Sequence, residues 1–341
     1  MDKMLLSKKI SDYPVHNNNM VTLINPYNGL LLTKKAEGYI DAEGNCFPFV
    51  NGVARIVQDT NYTDSFGYQW NKFRKTQIDK EVKNTSLSKE RFFAETGWDK
   101  QELSGKNILE VGSGAGRFTQ VVLDYTKAQL YSIDYSNAVS ANFENNCHHG
   151  ERLKLFQASV YEMPFPDNSF DKVFCLGVLQ HTPDFKKSVK CLIDKAKPGG
   201  EVVVDFYSIK GWWTKINSKY ILRPYTKRLP HDKLLHLIQK NSGWLIQSYN
   251  FFDKVGVGPI VNRFLPVCDI KGTIPHNLAK EQLREWVILD TFDMFSPEHD
   301  HPQKISTVEK WFKEFGMDIT FAGVITYGNN FTAHVVRGIK R

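Results

Sequence analysis

The residues with the clearest chemical purpose are three glycines. Gly112, Gly114 and Gly116 lie in Asn107-Ile-Leu-Glu-Val-Gly-Ser-Gly-Ala-Gly-Arg-Phe118, directly after an apolar run. Glycines there let the backbone turn tightly and leave room for a ligand to approach the main chain. A plain strand-to-helix turn uses the same residue type, so the neighbours must decide. A nicotinamide-type GxGxxG fingerprint needs its third glycine where this chain has Arg117. Glu110 stands two residues before the first glycine, a poor place beneath a pyrophosphate and a suitable one beside a cation. Asp134 ends the next apolar run, 18 residues after Gly116, where a carboxylate can accept both hydroxyls of a ribose. Loop and acid together point to a nucleoside ligand that is not bound through phosphate.

Such a loop needs a rigid frame, and the flanking pattern supplies one. Strands are predicted at 107–111, 129–133, 172–176 and 201–206. Between them fall helices over 117–125, from Ser136, and over a segment that aligns Phe185, Val189, Leu192 and Ile193. Alternating strands and helices make a doubly wound α/β domain with a parallel sheet. The pattern breaks at Ser208 and resumes near Ser306, where Ser306-Thr-Val-Glu309 reads as a capping box before a helix that Gly316 stops. Two further strands are placed at 317–325 and 331–338. Residues 21–58 read as short strands punctuated by Asn28-Gly29, Glu43-Gly44 and Asn51-Gly52. A helix is expected after Ser88 as N-cap. The organisation is therefore a small β-rich module (1–60), a connector (61–105), an α/β core (106–207), a helical insertion (208–304) and a closing helix with two strands (305–341).

Composition narrows the class. The 341 residues are 41% hydrophobic and 24% charged, ordinary for a globular chain. Five cysteines, odd in number and without a CxxC pair, exclude a disulfide scaffold and point to a reducing cytoplasm. The opening Met-Asp-Lys-Met-Leu-Leu-Ser-Lys-Lys has too short an apolar run for a signal peptide. The net charge of +7 is local: Lys210, Lys215, Lys219, Arg223, Lys227, Arg228, Lys233 and Lys240 face one acid, Asp232, and the rest of the chain holds 36 basic and 36 acidic residues. A general nucleic-acid coat is disfavoured by that distribution.

Four motifs occur in order: 107–118, Asp134, the run Gln157-Ala-Ser-Val-Tyr-Glu-Met-Pro-Phe-Pro-Asp-Asn-Ser-Phe-Asp171, and Val173-Phe-Cys-Leu-Gly-Val-Leu-Gln-His-Thr-Pro-Asp184 followed by Lys197-Pro-Gly-Gly200. Together they resemble the Rossmann-like (class I) S-adenosylmethionine-dependent methyltransferases. The resemblance implies a seven-stranded sheet and S-adenosyl-L-methionine as cofactor. It puts Glu110, Gly112, Ser113, Gly114, Ala115 and Gly116 around the methionine part, Asp134 and Tyr135 at the ribose, Ser159 and Val160 beside the adenine, and Leu176 with Gly177 on the fourth strand's side. Two departures stand out: Ser159 replaces an acid often used for adenine, and Gln180-His181 replaces a His-His pair. The stretches Ile24-Asn-Pro-Tyr-Asn-Gly29 and Phe47-Pro-Phe-Val-Asn-Gly-Val53 resemble the zinc-ribbon-like module that precedes some bacterial relatives. Its first cysteine pair would fall near Asn25 and Asn28, so the module is read as metal-free. The connector 66–77 and the segment 290–301 resemble parts of bacterial methyltransferases of this architecture. Trp70 is expected at the sulfonium and Arg74 at the carboxylate, with packing and a surface cation as the alternative.

Methyl transfer chiefly needs alignment in a dry site, and a hydroxyl acceptor also needs a base. Candidates are His181, Asp293 and His299, within a set that includes Asp290, Glu298, Asp300 and His301. His181 is equally readable as a structural cap of the turn before Pro183, and no metal site is assigned. The insertion is expected to cover the carboxyl ends of the strands and hold acceptor specificity. Its basic, aromatic stretch 208–240 suits an anionic membrane or a phosphate-bearing acceptor, or else forms a solvated lid. The expected function is methylation, on oxygen, of a small metabolite, sugar or lipid-linked glycan intermediate. RNA modification and non-catalytic cofactor binding are the competing readings.

Overall fold

The computed structural model describes residues 20–57, 62–82, 86–209, 211–276 and 278–341; the opening segment and Lys210 lie outside them. The core strands are β5 (Asn107–Val111), β6 (Gln129–Asp134), β7 (Leu153–Ala158), β8 (Phe170–Cys175), β9 (Ala196–Phe206), β10 (Met317–Tyr327) and β11 (Phe331–Lys340). They pair in the order β7-β6-β5-β8-β9-β11-β10, parallel as far as β9 and antiparallel beyond it. The seven-stranded doubly wound sheet expected from the sequence is present.

Burial on both faces explains why these strands read as unbroken apolar runs. Leu109, Val111 and Val173 pack with Val189, Leu192 and Phe312 on one side of the sheet. Ile108, Leu130 and Phe174 pack with Phe92, Phe118 and Val122 on the other. The chain runs outward from β5 to β6 and β7, then returns to start β8 on the opposite side of β5. That reversal opens a crevice beyond the carboxyl ends of β5 and β8, the usual ligand position in such sheets.

Four short strands, β1 (Thr33–Lys34), β2 (Gly38–Ile40), β3 (Cys46–Val50) and β4 (Val53–Ile56), form the β-rich N-terminal part. β4 pairs in parallel with β7, so these strands prolong the central sheet to eleven. Asp41 ties their loops together. Its Oδ2 accepts from the amides of Asn25, Asn28 and Asn45 at 2.7, 2.8 and 2.9 Å, and its Oδ1 from the backbone N–H groups of Glu43 and Asn45. Asn25 and Asn28, the positions where a first cysteine pair would fall, thus converge on a carboxylate.

The helices are α1 (Asp64–Lys72), α2 (Leu87–Thr96), α3 (Arg117–Tyr125), α4 (Val139–Asn146), α5 (Phe185–Lys195), α6 (Ser218–Thr226), α7 (His231–Lys254), α8 (Lys280–Phe295) and α9 (Ile305–Glu314). Two expected caps differ. Ser86, not Ser88, is the N-cap of α2, because the Asp79 carboxylate accepts from the N–H groups of Ser88 and Lys89 at 3.0 Å and serves the first turn from outside. α9 starts two residues early, with Lys304 as N-cap, so Ser306 lies inside its first turn and forms no capping box. The insertion is pinched off by a bridge between Ser208 and Gln303. Beyond it, α7 and α8 pack through Leu234, Leu235, Ile238, Leu289 and Phe292, and reach Phe73 after α1. Helices α1, α6 and α8 thereby roof the crevice. No helix among the described residues is long and apolar enough to cross a membrane.

Candidate active site

A cavity of about 700 Å³ lies beneath this roof, within the roughly 300–1,000 Å³ usual for small-molecule sites. Its floor is the glycine loop. Gly116 has φ of 86° and caps α3, and a Cβ there would come within 2.2 Å of Asn142 Oδ1, so both conformation and space require glycine. Gly114 has φ of 53°, and a Cβ would meet Trp70 Nε1 at 3.2 Å, which places the indole of α1 directly over the loop. Asp134 Oδ2 accepts from Gly114 N at 2.8 Å, while Oδ1 accepts from Ser136 N and Oγ at 2.8 and 2.6 Å. Burial raises its pKa against the pull of these donors.

Most of the expected cofactor residues line this one cavity: Trp70, Arg74, Gly112, Ser113, Gly114, Ala115, Asp134, Tyr135, Val160, Leu176 and Gly177. Three do not. Gly116 lies behind the loop. Glu110 turns to the other side of β5, where its Oε2 accepts from Ser132 Oγ at 2.8 Å and from Thr119 Oγ1, and burial pushes its carboxyl up to about 7. Ser159 Oγ accepts from the Tyr161 N–H and closes its own turn. Arg74 reaches only the rim, half-exposed and ion-paired with Glu144.

A different guanidinium reaches the interior. Arg117, at the first turn of α3, donates to Gln77 Oε1 at 2.6 Å and Ser88 Oγ at 3.2 Å. Among the described residues no carboxylate forms an ion pair with it, and burial, with Arg91 nearby, lowers its pKa to about 10. Arg91 is placed differently: it pairs with Asp205 at 2.5 Å and Glu95 at 2.7 Å, and Asp205 also accepts the Gly177 N–H.

On the far side, His181 Nδ1 lies 3.0 Å from the carbonyl oxygen of His299. A carbonyl can only accept, so Nδ1 carries the proton and Nε2 keeps its lone pair. Burial lowers the imidazole pKa, and the ring packs between Phe66 and Tyr207. Asp293 lines the cavity and accepts from Tyr207 Oη at 3.3 Å. Asp290 sits one turn earlier; burial and then Asp293 push its carboxyl to about 7. The His299 ring stacks on His301 and packs against Tyr62 outside the cavity, so His299 contributes its carbonyl. Of the remaining acids, Asp300 binds Lys219 at 2.9 Å and Arg223 at 3.1 Å, and Glu298 binds Lys227 at 2.8 Å.

Asp124, His148 and His149 bring three possible metal ligands together. Lys80 Nζ already lies 2.9 Å from the Asp124 carboxylate and Arg152 Nη2 is 3.3 Å from His149 Nδ1, so protein cations occupy that neighbourhood.

A family model described as a methyltransferase domain matches residues 109–204. That segment holds the loop, Asp134 and the β8 edge just described. It is a class I methyltransferase domain, and its cofactor is S-adenosylmethionine. The tRNA U34 carboxymethyltransferase of Nautilia profundicola is 34% identical over 111 residues, 32% of this chain and 37% of the relative. Phosphoethanolamine N-methyltransferase 2 of Caenorhabditis elegans is 32% identical over 112 residues, 32% of this chain and 25% of the relative. The chain thus spans less than half the length of these curated relatives. A SAM dependent methyltransferase from Aquifex aeolicus superposes on 83% of this chain and 100% of its own with 12% identity and a TM-score of 0.42.

Tyr62, Arg91, Arg117, Asp205 and Tyr207, all around the methyltransferase domain's cavity, escaped sequence reasoning. Asp205 was within reach, since an acid ending a strand at the ligand edge is the signal that singled out Asp134. Arg91 meets Glu95 one turn along α2, but Asp205 lies 114 residues downstream, and no local spacing links that pair.

Proposed function

We propose that this protein transfers a methyl group from S-adenosylmethionine to an oxygen of a small metabolite, sugar or lipid-linked glycan intermediate. The observation that carries the reading is continuity: one roofed cavity joins the glycine loop and Asp134 to the neutral imidazole of His181. The residues present suit the cofactor. The loop offers backbone where a Cβ would clash, Asp134 suits ribose hydroxyls, and Arg117 is a half-buried cation on the cavity wall to which a carboxylate can bind. We assign the methionine carboxylate to Arg117 rather than Arg74, with Trp70 covering the loop above it.

The cofactor supplies a methyl on a sulfonium, already activated for displacement. The protein's tasks are to align an acceptor with it, exclude water and take the acceptor's proton. Helices α1, α6 and α8 exclude water. His181 Nε2 is the group suited to receive the hydroxyl proton, since the His299 carbonyl fixes the tautomer. Tyr207 and Asp293 orient the acceptor beside it, and the developing imidazolium is favoured by Asp293 and Asp300.

RNA modification is the second reading, favoured by the tRNA U34 carboxymethyltransferase relatives. Against it, Lys219 and Arg223 of the basic stretch are engaged by the buried carboxylate of Asp300, and Lys227 pairs with Glu298 at the surface. Incubation with methyl-labelled S-adenosylmethionine and either a metabolite and lipid extract or total RNA separates the two. Label in the extract, lost in Asp134→Ala, supports the proposal; label in RNA alone overturns it.

A further inference from the structure

The insertion carries an apolar tip that the chemistry of the cavity does not use. Trp212 is 85% exposed, Tyr225 72% and Ile260 71%, with Trp213, Ile216, Ile221, Val257 and Phe264 also exposed. Two segments build it: the turn Trp212–Lys215 with α6, and the loop after α7 that includes the single helical turn Gly258–Val261. They are joined, since the Ser218 N–H donates to the Arg263 carbonyl at 2.9 Å and Arg263 Nη2 donates to the Trp213 and Ile216 carbonyls at 2.9 and 3.2 Å. The Arg263 guanidinium also lies over the Trp213 ring, 5.8 Å from its centroid.

The charge around this tip is predominantly positive, with Asp253, paired to Lys271, and Glu298 at its border. Residues 211–230 and 254–268 contain no Asp or Glu and seven Lys or Arg. Lys219 and Arg223 are bound internally to Asp300 and Lys227 pairs with Glu298 at the surface, which leaves Lys215, Arg228 and Lys254 exposed and Arg263 beside Trp213. A second copy of the chain is a poor occupant, because a two-fold contact would bring like charges together. RNA is a weaker fit: Trp212, Trp213, Tyr225 and Phe264 offer rings, but the equally exposed Ile216, Ile221, Val257 and Ile260 offer no face on which a base could stack. Tryptophans, branched aliphatics and cations in one patch match the headgroup boundary of a bilayer, where rings and alkyl groups enter the acyl edge and ammonium groups meet lipid phosphates. Asn217 and Lys219, between the two exposed clusters of this segment, line the cavity. The tip is therefore continuous with the rim of the site.

We propose that this tip docks the protein on an anionic lipid bilayer and turns the cavity's rim toward the membrane. Docking requires neither cofactor nor catalysis, so it stands or falls apart from the methyl-transfer reading.

The full chain is tested by co-sedimentation with phosphatidylcholine vesicles and with phosphatidylcholine–phosphatidylglycerol vesicles, without cofactor. Binding is expected for the mixed vesicles only and should weaken with added salt. Trp212→Ala with Phe264→Ala is expected to cut it by at least about tenfold, and Lys215→Gln or Lys254→Gln by about fivefold each. S-adenosylmethionine affinity, measured on the same preparations, should stay unchanged and certifies that the variants are folded. Absence of binding to mixed vesicles overturns the proposal, as does binding that these variants leave intact. Dimerisation abolished by Trp212→Ala, without vesicle binding, overturns it in favour of a second copy.

Discussion

Replacing Arg117 by Met keeps an unbranched apolar stem and removes the charge. The guanidinium is half-buried, hydrogen-bonds only neutral acceptors, and has its pKa lowered to about 10 by burial and Arg91. A carboxylate reaching it gains a charge-assisted hydrogen bond worth about 1.5–3 kcal/mol, or roughly 10- to 150-fold in dissociation constant. Titration calorimetry should show that loss for S-adenosylmethionine and S-adenosylhomocysteine. Methylthioadenosine, which lacks the amino-acid group, should lose less than about threefold, since Asp134 and the loop are untouched. Arg74→Met should change neither ligand's affinity, because that side chain is half-exposed and already engaged by Glu144. Equal losses for all three ligands would show that Arg117 only supports the loop, and a full effect from Arg74→Met would return the carboxylate to the rim.

If His181 is the base, the methyl-transfer rate should fall as pH drops below the ordinary imidazole range, because burial lowers its pKa and protonation occupies Nε2; a limb near pH 7 that survives in His181→Gln would assign the proton to Asp290 instead. Asp300→Ala leaves Lys219 and Arg223 without their shared buried partner and should cost about 3–5 kcal/mol in urea unfolding; a loss below about 1 kcal/mol would refute the view of it as a buried ion-pair centre. Glu110 has a folded pKa near 7, raised from 4.5 by burial, so its protonated form stabilises the fold below about pH 4.5 and that contribution is lost as pH rises toward 7. Glu110→Gln should accordingly stabilise the protein at pH 8, on the order of 2–3 kcal/mol, and leave cofactor affinity unchanged, since the side chain lies off the cavity; no difference between pH 5 and pH 8 would refute this.

The parts readable in the sequence were those with short-range grammar. Strand and helix alternation, the glycine triplet and Asp134 are each set by neighbours a few residues away, and the sheet confirms the architecture they implied. Side-chain direction was harder. Glu110 and Val111 are adjacent on β5 and so point to opposite faces, which removes the carboxylate from the cavity although the backbone beside it forms the floor. The basic stretch misled for a related reason. Its acids, Asp300 and Glu298, lie more than 70 residues downstream, and only the closure of the insertion at Ser208 and Gln303 brings them back. The α2 cap shows the same limit: Asp79 serves the Ser88 N–H from nine residues away.

Asp41 gives the N-terminal strands a clasp of reversed polarity. A zinc knuckle gathers anionic thiolates around a cation, whereas here an anion gathers amide N–H groups from Asn25, Asn28, Asn45 and Glu43. Such a clasp is indifferent to chelators and to thiol oxidation, and its own failure mode is protonation. Burial works against the charge, yet the Asn45, Asn25 and Asn28 donors hold the carboxyl well below the ordinary range. Because β4 leans on β7, whose carboxyl end leads to Val160 in the cavity wall, strong acid that opens this clasp would loosen the cofactor site from its outer edge inward.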